Sequence, residues 1–90
     1  MVYLLLTTSY KRDMIKIVLI DTGLTDDYND SRITGGCSVI EKDSAFEIAP
    51  GYSDHIGHGT AAVDIILKHS LNAGIYIIGI YEEDMFINEE

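Results

Sequence analysis

The strongest constraint on the fold is an apolar run that ends abruptly in a polar turn. Residues Met14–Ile20 read MIKIVLI, in which Lys16 is the only charged residue. A run that is apolar at nearly every position predicts a strand buried on both faces, as in a parallel sheet covered by helices. Asp21-Thr22-Gly23 follows it directly. The segment therefore predicts a central strand that brings a carboxylate to the carboxyl edge of a sheet, where open α/β folds gather ligands and catalytic groups.

Three further segments have strand character. The apolar stretches Ile33–Ile40 and Ile75–Tyr81 predict two strands, the first weakened by two consecutive glycines. The opening segment Tyr3–Thr8 is interpreted as an edge strand. Residues 25–31 are rich in turn formers, and residues 41–57 hold the only proline and several glycines, so both are predicted to be mostly loop.

One amphipathic helix is predicted over His58–His69. Its apolar residues follow the i, i+3, i+4, i+7 spacing of a buried helix face. Asn72-Ala73-Gly74 is predicted to stop it. The residues assigned to the apolar face are Ala62, Val63, Ile65, Ile66, Leu67 and His69. The order strand, strand, helix, strand predicts an α/β fold with a mainly parallel sheet and a flanking helix.

Composition excludes several classes of function. The 90 residues carry fifteen acidic and six basic side chains, which gives a net charge of −9. We therefore expect no nucleic-acid binding and no docking on an anionic membrane, because both need clustered Lys and Arg. One cysteine cannot form an internal disulfide, and the sequence shows neither a secretory signal nor the roughly 20 apolar residues of a membrane span. The chain is expected to be soluble and cytoplasmic.

A second polar segment, residues 54–60 (DHIGHGT), precedes the helix and complements Asp21. A His in the first helical turn can lie beside a carboxylate at the sheet edge, and the flanking glycines allow a close backbone approach. A carboxylate that accepts a hydrogen bond from Nδ1–H fixes the imidazole tautomer and leaves Nε2 free as a general base. Asp21 and His58 are therefore the candidate catalytic residues.

Residues 15–23 (IKIVLIDTG) and 54–60 resemble the first two motifs of the subtilisin-like serine proteases, whose triad follows the chain order Asp, His, Ser. The resemblance spans residues 15–81. It implies the N-terminal half of a subtilisin-like α/β domain, in which Asp21 orients His58 and His58 is the general base. The supporting residues that the resemblance implies are Thr22, Gly23, Asp54, Gly57, Gly59 and Thr60.

The family's serine motif is not found. None of the six serines lies in a Gly-Thr-Ser setting, and Ala61 stands where the family usually has a second His. The expected function is that of an Asp/His-bearing subunit or fragment of a split serine peptidase. A partner polypeptide would supply the serine and the oxyanion hole, and the substrate would be a peptide, such as a precursor. Residues 1–14 are then an extension or edge strand, 15–81 a partial domain and 82–90 an acidic tail, and no cofactor or metal is expected.

Two other functions remain open at this stage. The first is a non-catalytic protein that binds peptides or regulates a protease through the same scaffold. The second is a homodimeric aspartic protease, because residues 19–23 (LIDTG) and 77–79 (IIG) also resemble the retroviral-type motifs. A zinc site on Asp54, His55 and His58 is disfavoured, since a glycine-rich loop gives poor ligand geometry.

Overall fold

The computed structural model describes residues 3–9 and 14–82. These residues form an α/β arrangement of one sheet and one helix. The elements are β1 Tyr3–Ser9, β2 Met14–Asp21, β3 Ile33–Lys42, β4 Ala45–Ala49, α1 His58–His69 and β5 Ala73–Glu82. Within this part of the chain, no helix is long and apolar enough to cross a membrane. Residues 83–90 of the predicted acidic tail lie outside the described residues.

The sheet is mixed, with strand order β1-β2-β5-β3-β4. The central strand β5 is parallel to both β2 and β3, whereas β1 and β4 are antiparallel edge strands. The predicted parallel sheet is thus found at the centre, and the opening segment is an edge strand as interpreted. Because the three central strands point the same way, their carboxyl ends share one edge. Asp21 is the last residue of β2 and pairs with Gly79 at that edge.

Helix α1 covers one face of this sheet. Val63 and Leu67 are buried in one apolar cluster with Leu19 of β2 and with Ile75 and Ile77 of β5. The helix begins at His58, so its N-terminus lies near the sheet edge that carries Asp21. Fold and site are therefore coupled, because the packing that fills the core also brings the imidazole to the carboxylate.

The predicted helix bounds are confirmed, but part of its predicted buried face is wrong. Ile65 is 61% exposed, and His69 is exposed, with its ring Nδ1 against the carbonyl of Ile65 at 2.9 Å. With 3.6 residues per turn, Ile65 lies on the side of the helix opposite to Val63. The face that meets the sheet is centred on Val63 and Leu67, two of the six residues assigned to it from the sequence.

The prediction of loop over most of residues 41–57 is also wrong in its first half, residues 41–49. Strand β3 continues to Lys42, and β4 returns antiparallel to it after a two-residue turn at Asp43 and Ser44. Both turn residues have positive φ, 51° and 66°, as the tight turns of twisted hairpins require. Strand β5 also begins earlier than predicted, at Ala73 instead of Ile75, so two of the three residues predicted to stop α1 already belong to β5.

Candidate active site

The side chains of Asp21 and His58 are in direct contact. Nδ1 of His58 lies 3.0 Å from Oδ1 and 3.1 Å from Oδ2 of Asp21. The carboxylate is 1% exposed, whereas the imidazole is 56% exposed. With Nδ1 protonated, the ring donates to Asp21 and presents Nε2 as an acceptor. Among the described residues, no hydrogen-bond partner is placed on Nε2.

Local structure holds Asp21 in this position. The residue ends β2, and its Oδ1 accepts a hydrogen bond of 2.7 Å from the backbone amide of Thr22. A buried carboxylate needs such donors, because an unpaired charge out of water is strongly unfavourable. Asp21 is therefore anchored by its own chain and meets the imidazole as a fixed acceptor.

Two glycines bring the loop after β2 against the start of α1. A Cβ on Gly59 would collide with the backbone carbonyl oxygen of Gly23. A Cβ on Gly23 would collide in turn with the carbonyl oxygen of Tyr52, and this glycine has φ of 107°. Of the two glycines that flank His58, Gly59 makes the predicted close backbone approach, with Gly23 as its neighbour, whereas Gly57 meets open space.

Asp54 is the hydrogen-bonding centre of the segment that precedes the helix. Its Oδ1 accepts from the amides of Ile56 and Gly57 at 2.9 and 2.8 Å. Its Oδ2 accepts from the amide and the hydroxyl of Thr60 at 2.9 and 2.7 Å. Burial on its own raises the pKa of the Asp54 carboxyl, but the hydrogen bonds from Thr60, Gly57 and Ile56 outweigh burial and lower that pKa well below its usual range.

Thr22 joins this centre to the loop after β2. Its hydroxyl donates to Oδ1 of Asp54 at 2.8 Å and accepts from the amide of Gly59 at 2.8 Å. The hydroxyl of Thr60 also accepts from the amide of Thr25 at 3.0 Å. Five of the six residues predicted as support for the pair therefore lie in one hydrogen-bonded network, namely Thr22, Asp54, Gly57, Gly59 and Thr60. The sixth, Gly23, packs against Gly59, and Asp54 accepts hydrogen bonds from its loop as expected.

A buried tyrosine of β5 holds the segment that precedes α1. The hydroxyl of Tyr81 donates to the backbone carbonyl of Ser53, and the Tyr81 ring lies 6.4 Å from that of His55. Burial raises the pKa of Tyr81, and the nearby charge of Asp54 acts in the same direction. Tyr81 therefore serves as a neutral donor. The sequence analysis placed this residue in a strand but assigned it no contact with the site.

The zinc alternative gains no support from the geometry. Both oxygens of Asp54 are occupied by amide and hydroxyl donors, and His58 is engaged with Asp21. Over the described ranges, no group of three or more His, Cys, Asp or Glu side chains is placed to hold a metal ion. The geometry is that of a hydrogen-bonded carboxylate–imidazole pair.

Sequence reasoning missed one residue that fixes the other end of α1. The guanidinium of Arg32 donates through Nη1 to the carbonyls of Leu67 and Ser70, at 3.1 and 3.0 Å, where the helix ends. The same group holds Asp30, and this bond with Arg32 lowers the pKa of Asp30 to about 2. The short spacing Asp-Ser-Arg was the only available signal, and it does not indicate contact with a helix 35 residues further on.

Comparison of the chain with models of known protein families, with curated proteins and with solved structures gives no match. The site is therefore interpreted from its own chemistry.

Proposed function

We propose that the chain carries the Asp–His half of a subtilisin-like serine peptidase site, with Asp21 as the orienting carboxylate and His58 as the general base. The observation that supports this most is the contact of Nδ1 of His58 with a 1% exposed Asp21, while the imidazole itself is 56% exposed. A buried carboxylate fixes the tautomer and stabilises the imidazolium, and an accessible ring can take a proton from a nucleophile.

In this proposal the serine and the oxyanion hole come from outside these 90 residues. The reaction is hydrolysis of a peptide bond. The serine hydroxyl loses its proton to Nε2 of His58 and attacks the carbonyl, and the same proton then passes to the leaving amine, which leaves an acyl-serine. A water molecule then loses a proton to Nε2 and attacks this ester, and His58 returns the proton to the serine oxygen as the acid product departs. Preorganised donors must also stabilise the oxyanion. Base catalysis alone contributes only about 10²–10⁴-fold, so we expect the 90-residue chain by itself to hydrolyse peptides at background rate.

The test is isolation of the tagged chain, within whatever polypeptide or complex carries it in its source cells, followed by labelling with a fluorophosphonate probe. We expect a serine outside residues 1–90 to be labelled and peptide hydrolysis to accompany it. His58→Ala should lower kcat by about 10⁴-fold or more. His69→Ala is the matched control, since the same substitution at the exposed end of the same helix should leave the rate unchanged.

Two results would overturn the proposal. One is a monodisperse chain that co-purifies with no reactive serine. The other is peptide hydrolysis that continues undiminished in His58→Ala, which would show that His58 is not the general base.

The second candidate is a non-catalytic protein that binds peptides or regulates a peptidase. It needs no nucleophile, and Ser38 and Ser53 of this chain offer none, because the hydroxyl of Ser38 donates to the carbonyl of Gly51 and that of Ser53 donates to Asp26. These two contacts are compatible with both candidates, so the response to His58→Ala separates them. Peptide binding without hydrolysis, unaffected by His58→Ala, would identify this function. The geometry disfavours the homodimeric aspartic protease, because both oxygens of Asp21 face His58, where such an enzyme needs a second carboxylate.

A further inference from the structure

We infer that Asp54 and Thr22 are positioning residues that hold His58 in register with Asp21. The inference deepens the proposed function and rests on it for its catalytic meaning. The first turn of α1 has no side-chain cap from its own N-cap residue, so other residues must hold it.

The N-cap residue of α1 is Gly57, which has φ of 102° and makes no side-chain cap hydrogen bond. A helix start leaves its first amides without intrahelical partners, and a capping side chain normally satisfies them. Here two residues outside the helix take that role. Asp54 accepts from the amides of Gly57 and Thr60, and Thr22 accepts from the amide of Gly59.

These bonds enclose His58 in the chain. The amides of Gly57, Gly59 and Thr60 are all held, and His58 lies between the first two of them. A shift of the imidazole away from Asp21 through movement of the backbone would therefore break bonds on both sides of His58. Bonds to a charged acceptor are stronger than those to a neutral one, which makes Asp54 the firmer part of the cap.

Thr22 makes the arrangement specific to the site. Thr22 follows Asp21 in the chain, and Gly59 follows His58. Two contacts therefore run side by side between these two short segments. Asp21 meets Nδ1 of His58 at 3.0 Å, and the hydroxyl of Thr22 meets the amide of Gly59 at 2.8 Å. The hydroxyl then donates to Asp54 at 2.8 Å, which couples the two positioning residues. The hydrogen bond between Thr22 and Gly59 thus sets the distance and the angle at which Asp21 meets His58.

The experiment is nuclear magnetic resonance of the chain with labelled histidine, recording the Nδ1–H proton of His58 and the ratio of its two neutral tautomers. In the wild type we expect a low-field Nδ1–H signal that Asp21→Asn removes. In Asp54→Asn, an amide group replaces one acceptor oxygen and faces donors. We expect the ratio of Nδ1–H to Nε2–H tautomers to fall by about tenfold.

Matched variants separate alignment from general loss of stability. Thr22→Val keeps the shape and removes the hydroxyl, so it should reproduce the effect of Asp54→Asn, whereas Thr22→Ser should retain the wild-type signal. Asp43→Asn removes the same charge in the exposed β3–β4 turn, where φ of 51° suits Asn, and should change nothing. If Asp54→Asn does not fold, the two Thr22 variants carry the test.

The outcomes distinguish the inference from the proposed function. A folded Asp54→Asn or Thr22→Val variant that keeps the wild-type tautomer ratio would overturn the positioning role, even if its melting temperature fell. If Asp21→Asn leaves the low-field signal unchanged, the hydrogen bond from Nδ1–H of His58 to Asp21 is contradicted, and with it the proposed function. Neither measurement needs the serine or turnover.

Discussion

At the scale of single residues, the site depends on side chains that are absent as much as on those that are present. Gly23 and Gly59 allow two backbones to touch, and this contact sets the separation between the end of β2 and the start of α1. Asp21 and His58 have side chains of fixed length, so their contact requires that separation. The two glycines therefore belong to the site although neither carries a functional group.

Replacing Gly59 with Ala tests this close approach. Helix propensity alone would favour the alanine by about 1 kcal/mol. The added Cβ meets the Gly23 carbonyl, however, and overpacking against a backbone atom should lower the free energy of unfolding by about 3 kcal/mol. Urea unfolding gives the measurement.

Gly51→Ala is the matched control for this substitution, because a Cβ at Gly51 meets nothing within 4 Å. It should change the free energy of unfolding by no more than about 0.5 kcal/mol. Equal stability of the two variants would contradict the packing argument.

At the scale of elements, α1 is fixed at both ends by residues from the surrounding loops. Asp54 and Thr22 satisfy amides at its start, and Arg32 binds carbonyls at its end. Each end is thereby attached to the loop that follows β2, since Thr22 lies at the start of that loop and Arg32 at its finish. The segment that connects β2 to β3 therefore holds both ends of the helix.

The cap at the start of α1 predicts sensitivity to acid. Folding lowers the pKa of Asp54, so its stabilising contribution is fully present above the ordinary carboxyl value of about 4 and is lost as pH falls below it. Wild-type stability should therefore fall more steeply between pH 5 and pH 2 than that of Asp54→Asn, which has no proton to take up at this position. Unfolding by urea at several pH values measures the difference.

Asp43→Asn serves as the control in that series and should follow the wild-type pH dependence. Arg32 also lowers the pKa of Asp30, but Asp30 is present in all three proteins, so its contribution to the pH dependence is the same in each. An equal slope for wild type and Asp54→Asn would show that this carboxylate is not the acid-sensitive cap.

At the C-terminal end of α1, the planar shape of the Arg32 guanidinium leads to a prediction. Arg32 bonds the carbonyl of Leu67 in α1, the carbonyl of the C-cap residue Ser70 and the carboxylate of Asp30 at once, which needs the planar fork of a guanidinium. Arg32→Lys keeps the charge and should lose part of the stability, and Arg32→Met should lose more. Amide exchange in the last turn of α1 should accelerate in the same order, and equal exchange in all three proteins would contradict the role.

How far the sequence predicted these elements depended on the range of the interactions. Periodicity predicted the bounds of α1, and the apolar run predicted β2 with Asp21 at its end. The hairpin of β3 and β4 was missed because Asp43 and Ser44 adopt positive φ without the Asn-Gly or Gly-Gly pair that normally indicates such a turn. The link from Thr22 to Gly59 spans 37 residues and depends on how β2 and α1 pack, which no local pattern contains.

At the scale of the whole molecule, the two faces of the sheet differ. One face packs against α1, and the opposite face has no helix over it among the described residues. Register places Val39 beside both Ile48 of β4 and Ile80 of β5, so these three residues form a row across that open face. Ile48 is 78% exposed and Ile80 is 42% exposed. A contiguous apolar row of this kind is unusual on a monomer, where exposed apolar residues are normally scattered.

The open face predicts that the 90-residue chain binds a hydrophobic dye and that the binding depends on this row. Ile48→Lys and Ile80→Lys each place a charge on the open face, and each should reduce dye fluorescence and raise solubility. Leu71→Lys is the matched control. Leu71 is 86% exposed but lies in the turn between α1 and β5, away from the row, so its substitution should have little effect. Fluorescence that falls equally in all three variants would show that the dye reports total exposed apolar surface and that the row has no special role.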